Sequence, residues 1–296
     1  MSRKRDGREH QFGGPWTETK LGILREYLRA YNRALSKQNF ERVYIDAFAG
    51  TGYRTQRSDT ANVLALPDLA TDDAQGLLDG SAVYALKTEP PFHRYVFVDK
   101  STERCKALEA LRAQFPERAL AIDVRRAEAN EAIRALCAEP WVNRRAVLFL
   151  DPYGMQVEWK TIEAIARTKA IDLWLLFPLG IGVGRLLTRS GEIPEDWRRR
   201  LDLLLGTDAW FDAFYRVEPA PTLFDREATQ VTRASVEVIG RYFVERLKTV
   251  FDGVAEPRVL RNSTQCPMYL LCFAAANPKG APIALRIAKH LLERVD

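Results

Sequence analysis

The chain has 296 residues, 47% hydrophobic and 28% charged, a size for one large domain or two modest ones and a composition that excludes disorder over most of its length. Lys and Arg number 44 against 39 Asp and Glu, and the resulting net charge of +5 permits a polyanionic partner without demanding one. No apolar run approaches the ~18 residues of a membrane span, and no apolar stretch follows the basic residues Arg3, Lys4, Arg5 and Arg8 as a signal peptide would need. The expectation is a cytoplasmic protein with no membrane contact.

Residues 1–15 read as a flexible basic tail ahead of one domain over 16–296. Thr17 to Leu35 carries Leu21, Leu24, Leu28, Tyr31 and Leu35 at helical spacing. Val43 to Phe48 is a short β-rich run that ends in Ala49-Gly50-Thr51-Gly52. The stretch 53–93 is long and mixed and reads as an insertion, with a helix from Gly80 to Leu86 inside it. Regular alternation then resumes. Tyr95 to Asp99 is predicted as a strand, and Ser101 to Phe115 as a helix capped by Ser101 or Thr102. Leu120 to Val124 is a third strand, Ala127 to Cys137 a helix, and Ala146 to Leu150 a fourth strand closed by Asp151-Pro152. Trp159 to Thr168 is a helix and Ile171 to Phe177 a fifth strand.

A second insertion is expected over about 180–230, because the period lengthens after Pro178. Gly180 to Tyr215 reads as helical, with Trp197, Trp210, Phe211, Phe214 and Tyr215 as its own core. Thr232 to Phe251 is predicted as a long helix, Arg258 to Asn262 and Met268 to Ala275 as two closing strands, and Ile283 to Leu292 as a final helix. Strands apolar on both faces belong in a parallel sheet covered by helices on both sides. The expected fold is therefore α/β and doubly wound, with about seven mostly parallel strands, one antiparallel strand and helical insertions. It resembles the Rossmann-like layout of class I S-adenosylmethionine (SAM) methyltransferases.

The residues able to do chemistry sit at strand ends. Asp46 with Phe48, Gly50 and Gly52 closes the first strand, where open α/β sheets bind ligands. The third glycine of G-x-G-x-x-G is missing, which weakens a dinucleotide reading. A carboxylate-and-ammonium ligand such as SAM needs only a glycine turn and an acid. The alternative is a turn with no ligand. Asp99, followed by Lys100, closes the next strand and can accept ribose hydroxyls, or can merely cap a helix. Asp123 or Glu128 would lie near an adenine ring, with Ala127 to Asn130 favoured over a solvated helix start. Leu150-Asp151-Pro152-Tyr153-Gly154 is the sharpest signal. An exocyclic base amine is a poor nucleophile, and the Asp151 carboxylate and Pro152 carbonyl can orient its lone pair while Tyr153 stacks on the base. A plain Asp-Pro turn is the alternative. Arg185 and Arg189 can contact phosphate or pair on the surface. The four cysteines, Cys105, Cys137, Cys266 and Cys272, form no CxxC pair and are expected to be free buried thiols. The three histidines lie far apart, and no metal site is expected.

In combination these motifs resemble the three-Cys-motif partner (TcmP) family. The stretches that carry the resemblance are Tyr44 to Gly52, Gly80-Ser81 with Ala85-Leu86, Phe97 to Lys100, Phe149 to Met155, Asp172 to Pro178, Pro267 to Pro278, and Lys20 within Thr19-Lys20-Leu21. The resemblance implies a class I SAM-dependent methyltransferase with SAM as cofactor. It also implies, as an alternative, an accessory subunit that works with a three-Cys, radical-SAM-like partner protein. A more distant similarity to ribosomal-RNA adenine-N6 methyltransferases rests on Lys20, the glycine turn, Gly80 to Leu86, and Asp151-Pro152-Tyr153-Gly154 where those enzymes carry D-P-P-Y. Some tRNA guanine-N2 methyltransferases carry the nearer D-P-F-G. Together they imply methyl transfer to an exocyclic amine of a base in RNA or DNA. In that reading Asp151, Pro152 and Tyr153 are catalytic. Asp46, Phe48, Gly50, Gly52, Asp99, Lys100 and Glu128 hold the cofactor. Lys20, Tyr53, Ser81 and Arg185 meet the substrate. A small-molecule or protein substrate is the further alternative.

Overall fold

A computed structural model describes residues 15–47, 80–152, 154–219 and 229–294. In chain order its elements are α1 (Pro15–Leu35), β1 (Glu41–Ala47), α2 (Ser81–Leu86), β2 (Arg94–Asp99), α3 (Thr102–Gln114), β3 (Ile122–Arg126), α4 (Ala129–Cys137) and β4 (Arg144–Leu150). There follow α5 (Trp159–Arg167), β5 (Ile171–Phe177), α6 (Glu195–Leu205), α7 (Trp210–Phe214), β6 (Tyr215–Pro219), β7 (Thr229–Arg233), α8 (Val236–Lys248), β8 (Gly253–Val254), β9 (Arg258–Arg261), β10 (Pro267–Ala275) and α9 (Ala281–Glu293).

The main sheet has eight strands in the order β3-β2-β1-β4-β5-β10-β8, with β9 also paired to β10. Strands β3, β2, β1, β4 and β5 are parallel, and β10 runs antiparallel to β5. This is the Rossmann-like class I methyltransferase layout expected from the sequence. The chain starts in the middle of the sheet and winds outward in both directions, so the order reverses between β1 and β4. Open sheets bind ligands at that crevice, outside the carboxyl ends of the strands.

Strand side chains alternate between two cores. Val43, Ile45, Val96, Leu148 and Leu173 face a core closed by α4, α5 and α8. Tyr44, Phe97, Phe149, Trp174 and Phe273 face the other, closed by α1, α2, α3 and α9. Where β5 ends, its chain passes so close to β10 that a Cβ on Gly180 would collide with the carbonyl oxygen of Pro267.

Several elements differ from expectation. The third strand starts at Ile122, because residues 116–121 form a 3-10 helix and Leu120 is fully exposed. The second insertion is not helical up to Tyr215. That residue opens β6, which pairs with β7 as a separate two-stranded sheet. Thr232 lies in this sheet, and α8 begins only at Val236. A two-residue strand, β8, also pairs with β10, beside the expected closing strand β9. Within the insertion Trp210, Phe214 and Tyr215 are buried and Trp197 and Phe211 are packed against them, as expected. Cys266 is exposed, not buried. No helix among the described residues is long and apolar enough to cross a membrane.

Helix α1 lies across the whole height of the sheet. Lys20, near its start, meets Asp151 beyond the carboxyl end of β4. Tyr27, two turns and about 10 Å further on, donates a 2.6 Å hydrogen bond to Asp172 near the amino end of β5. Burial pushes the Asp172 carboxyl up to about 7, against the opposing hydrogen bond from Tyr27. The folded state thus holds this proton between pH ~4, where an unfolded Asp releases it, and pH 7. Stability therefore falls as pH rises through that window. Asp172→Asn keeps an acceptor for Tyr27 and removes the charge. It is expected to be more stable than the wild type at pH 8 by about 1–3 kcal/mol and to lose that advantage at pH 5. Urea denaturation at the two pH values measures this.

Candidate cofactor and catalytic site

Three adjacent strands each place an aromatic residue two positions before an acid: Tyr44 and Asp46 on β1, Phe97 and Asp99 on β2, Phe149 and Asp151 at the end of β4. A spacing of two puts each acid on the same face as its aromatic, and the aromatics face the core under α1. The acids are staggered. Asp46 is level with Phe97 and Phe149, so Asp99 and Asp151 stand one side-chain step further toward the carboxyl edge.

Asp46 is the deepest and is almost wholly buried. The Tyr44 hydroxyl donates to its Oδ2 at 3.1 Å, and Ser81 at the start of α2 stands beside it. Burial pushes its carboxyl up to about 7. The neighbouring Ser81 and Tyr44 hydroxyls and the charge of Lys20 pull the other way, and the charge of Asp151 adds to the rise.

Asp99 is buried at the end of β2. Its Oδ1 accepts the Ser101 backbone N–H at 2.6 Å, and the Arg104 guanidinium lies 3.7 Å from Oδ2. Ser101 caps α3, accepting the Arg104 N–H. Among the described residues Asp99 Oδ2 has no hydrogen-bond partner. A buried carboxylate oxygen left in this way costs free energy unless a ligand donates to it. Burial raises the Asp99 carboxyl, against the Ser101 N–H and the charges of Arg104 and Lys100. Lys100 itself is exposed.

Asp151 keeps some contact with solvent. Lys20 donates to its Oδ2 at 2.6 Å, with the lysine side chain fully buried and that of Asp151 13% exposed. The lysine nitrogen also lies 4.9 Å above the Trp16 ring, and Trp16 in turn packs on Tyr269 of β10 at 5.0 Å between ring centroids. Lys20 therefore meets Asp151 and is shielded from solvent. Pro152 is buried directly after it.

Glu128 opens α4. Its Oε2 accepts the Glu131 N–H at 2.9 Å and its Oε1 accepts from the Asn130 amide at 3.0 Å. Asn130, at the end of the favoured Ala127 to Asn130 segment, has a role that the sequence alone does not specify. It donates to the Gln156 carbonyl and accepts from the Glu158 N–H and the Thr161 hydroxyl, tying the loop after β3 to the loop after β4. Its neighbourhood with Glu128 was the available signal. Asp123 sits mid-strand opposite Val96 and is held by Arg94 and Arg125, away from the carboxyl edge. Burial works to raise its carboxyl, but the hydrogen bonds from Arg125 and Arg94 win and hold it below the usual range. Arg185 is exposed in the segment after β5, on the carboxyl side of the sheet. Phe48, Gly50, Gly52, Tyr53 and Tyr153 lie outside the described residues.

No family model matches the chain, and no curated protein does. Among solved structures it is similar to protein LPL1258 of Legionella pneumophila, with 13% identity over 80% of this chain and 93% of that one and a TM-score of 0.38. A spermidine synthase in complex with the transition-state analogue AdoDATO gives 10% identity over 95% and 73%, with a TM-score of 0.40. The 23S rRNA methyltransferase ErmE gives 13% identity over 72% and 68%, with a TM-score of 0.27. The methyltransferase-like fold stands on the strand order itself.

Removing one member of a buried ion pair strands the other, which costs about 3–5 kcal/mol. Lys20→Met is expected to lose stability toward the lower end of that range, because Asp151 keeps some solvent. Adding Asp151→Asn should restore most of the loss. A double-mutant cycle by urea denaturation reads this coupling.

Proposed function

We propose that the chain is a SAM-dependent methyltransferase acting on an exocyclic amine of a nucleic-acid base. The observation that carries the cofactor part is the unpartnered, buried Oδ2 of Asp99 beside the β1/β4 crevice. A nucleoside ribose offers the hydroxyl donors that this oxygen needs, so the residues present fit the group. Asp99 would hold the ribose, with Glu128 near the base and Asp46 facing the amino-acid end. When bound, SAM supplies an electrophilic methyl group.

The chain's own contribution to chemistry is orientation. Lys20 engages Oδ2 of Asp151 and fixes the carboxylate, leaving Oδ1 to accept an N–H from the substrate amine. An amine held in this way keeps its lone pair aimed, and the fixed negative charge stabilises positive charge developing on nitrogen. Pro152 has no N–H to compete for the same acceptors. Arg185, exposed on the same side of the sheet, is placed to meet a phosphate. The reading includes membership of the TcmP family, and a three-Cys partner would act on the same surface.

Calorimetry and turnover with labelled SAM test the roles separately. Asp99→Ala is expected to weaken SAM binding at least tenfold. Asp151→Ala should bind SAM within a few-fold of the wild type and lose more than a hundredfold in turnover on RNA or DNA. Equal loss of binding and turnover in Asp151→Ala would refute the assigned roles. Turnover only after a three-Cys partner is added would favour the accessory-subunit reading.

A further inference from the structure

The carboxyl edge contains more acid than its cation can balance. Lys20 lies 2.6 Å from Asp151 and is committed to it. Asp46 shares the same dry layer, flanked in register by the rings of Phe97 and Phe149. The groups that face it are Tyr44 from β1, Ser81 from α2, Lys20 from α1 and Asp151 from β4. Two of these are neutral hydroxyls, because burial holds the Tyr44 phenol well above its ordinary range. Among the described residues, one ammonium thus serves two carboxyl groups. A second buried carboxylate is costly until another positive charge arrives.

We propose that Asp46 is neutral in the empty protein and releases its proton to solvent as a cationic cofactor enters the crevice. This rests on the cofactor reading above. The incoming ligand carries an ammonium and a sulfonium against one carboxylate, and so brings the missing positive charge. Asp46 then ionises, keeps its hydrogen bond from Tyr44, and adds its attraction to binding. The rise of its carboxyl to about 7 supports this and places the exchange near neutrality. Cofactor affinity becomes a function of pH: weaker in acid, by up to about tenfold per pH unit below the midpoint, and weaker again in alkali once the cofactor's own ammonium is lost.

Calorimetry with SAM in buffers of different ionisation enthalpy counts the protons. Close to one should be released at pH 6, and at pH 8.5 the release should give way to net uptake, because the largely neutral cofactor amine must then gain the proton it carries when bound. The cofactor's own amine titrates nearby, at about 7.7–8.0 for a free α-amino group, so two further readouts assign the proton. Tyr44→Phe removes a donor to the ionised carboxylate and should move the release profile to higher pH. Infrared difference spectra should show a protonated-carboxyl band that disappears when SAM is added. The SAM-induced loss should be missing in Asp46→Asn and retained in Asp172→Asn, which removes a buried acid far from the crevice. Binding that is level from pH 6 to 8.5 with an unchanged band would overturn the proposal and leave the cofactor reading standing. No SAM binding by the folded protein at any pH would overturn both.

Discussion

Much of this structure depends on the ion pair between Lys20 and Asp151. Helix α1 covers its side of the sheet with an apolar stripe that includes Leu24, Tyr27 and Leu28. Closing such a stripe over a face that ends in carboxylates would strand negative charge in a dry layer, at several kcal/mol per ion. Lys20 removes that obstacle. Its ammonium reaches the acid that stands furthest out, and its aliphatic stem lies in the apolar layer. The helix can then pack, and Asp151 stays fixed at the crevice with one oxygen left to work.

Three identical functional groups acquire three chemistries from their surroundings. Strand register sets how deep each lies, and depth sets its solvation. Asp46, one step down, is dry and hard to ionise. Asp99 is braced by a backbone N–H and an arginine yet retains an idle oxygen. Asp151, at the rim, has a committed cation. Paired environments of this sort are how one fold obtains both a neutral and an ionised carboxyl at the same pH.

The sequence made the scaffold plain for a simple reason. Strands β1, β2, β4 and β5 are apolar on both faces, and only a buried parallel sheet asks for that. Their ends, with Asp46, Asp99 and Asp151, followed directly. The β6–β7 pair was hidden because Arg216 to Glu218 and Gln230 to Arg233 show no strict apolar alternation. Val217 is exposed, and the preceding aromatics continued a helical pattern. Strand β8, with two residues, is too short to leave a period. The choice between Asp123 and Glu128 required strand register, since one acid lies within the short strand β3 and the other just beyond it. Lys20 could be singled out only by resemblance. Its partner is 131 residues away, and nothing local in a helix announces what a lysine will meet.

That distance has a consequence for how the molecule assembles. Helix α1 precedes the strands, yet two of its polar anchors, Asp151 and Asp172, arrive 131 and 145 residues after the residues that meet them. Closing loops of that size delays the contacts that reward it and raises the contact order of the whole domain. Until β4 and β5 are in place, α1 has a buried lysine and a buried tyrosine with no acid to receive them. Its docking is therefore complete only once both strands are in place. The same event brings Lys20 to Asp151, so the carboxyl edge of the sheet is complete only when the domain is.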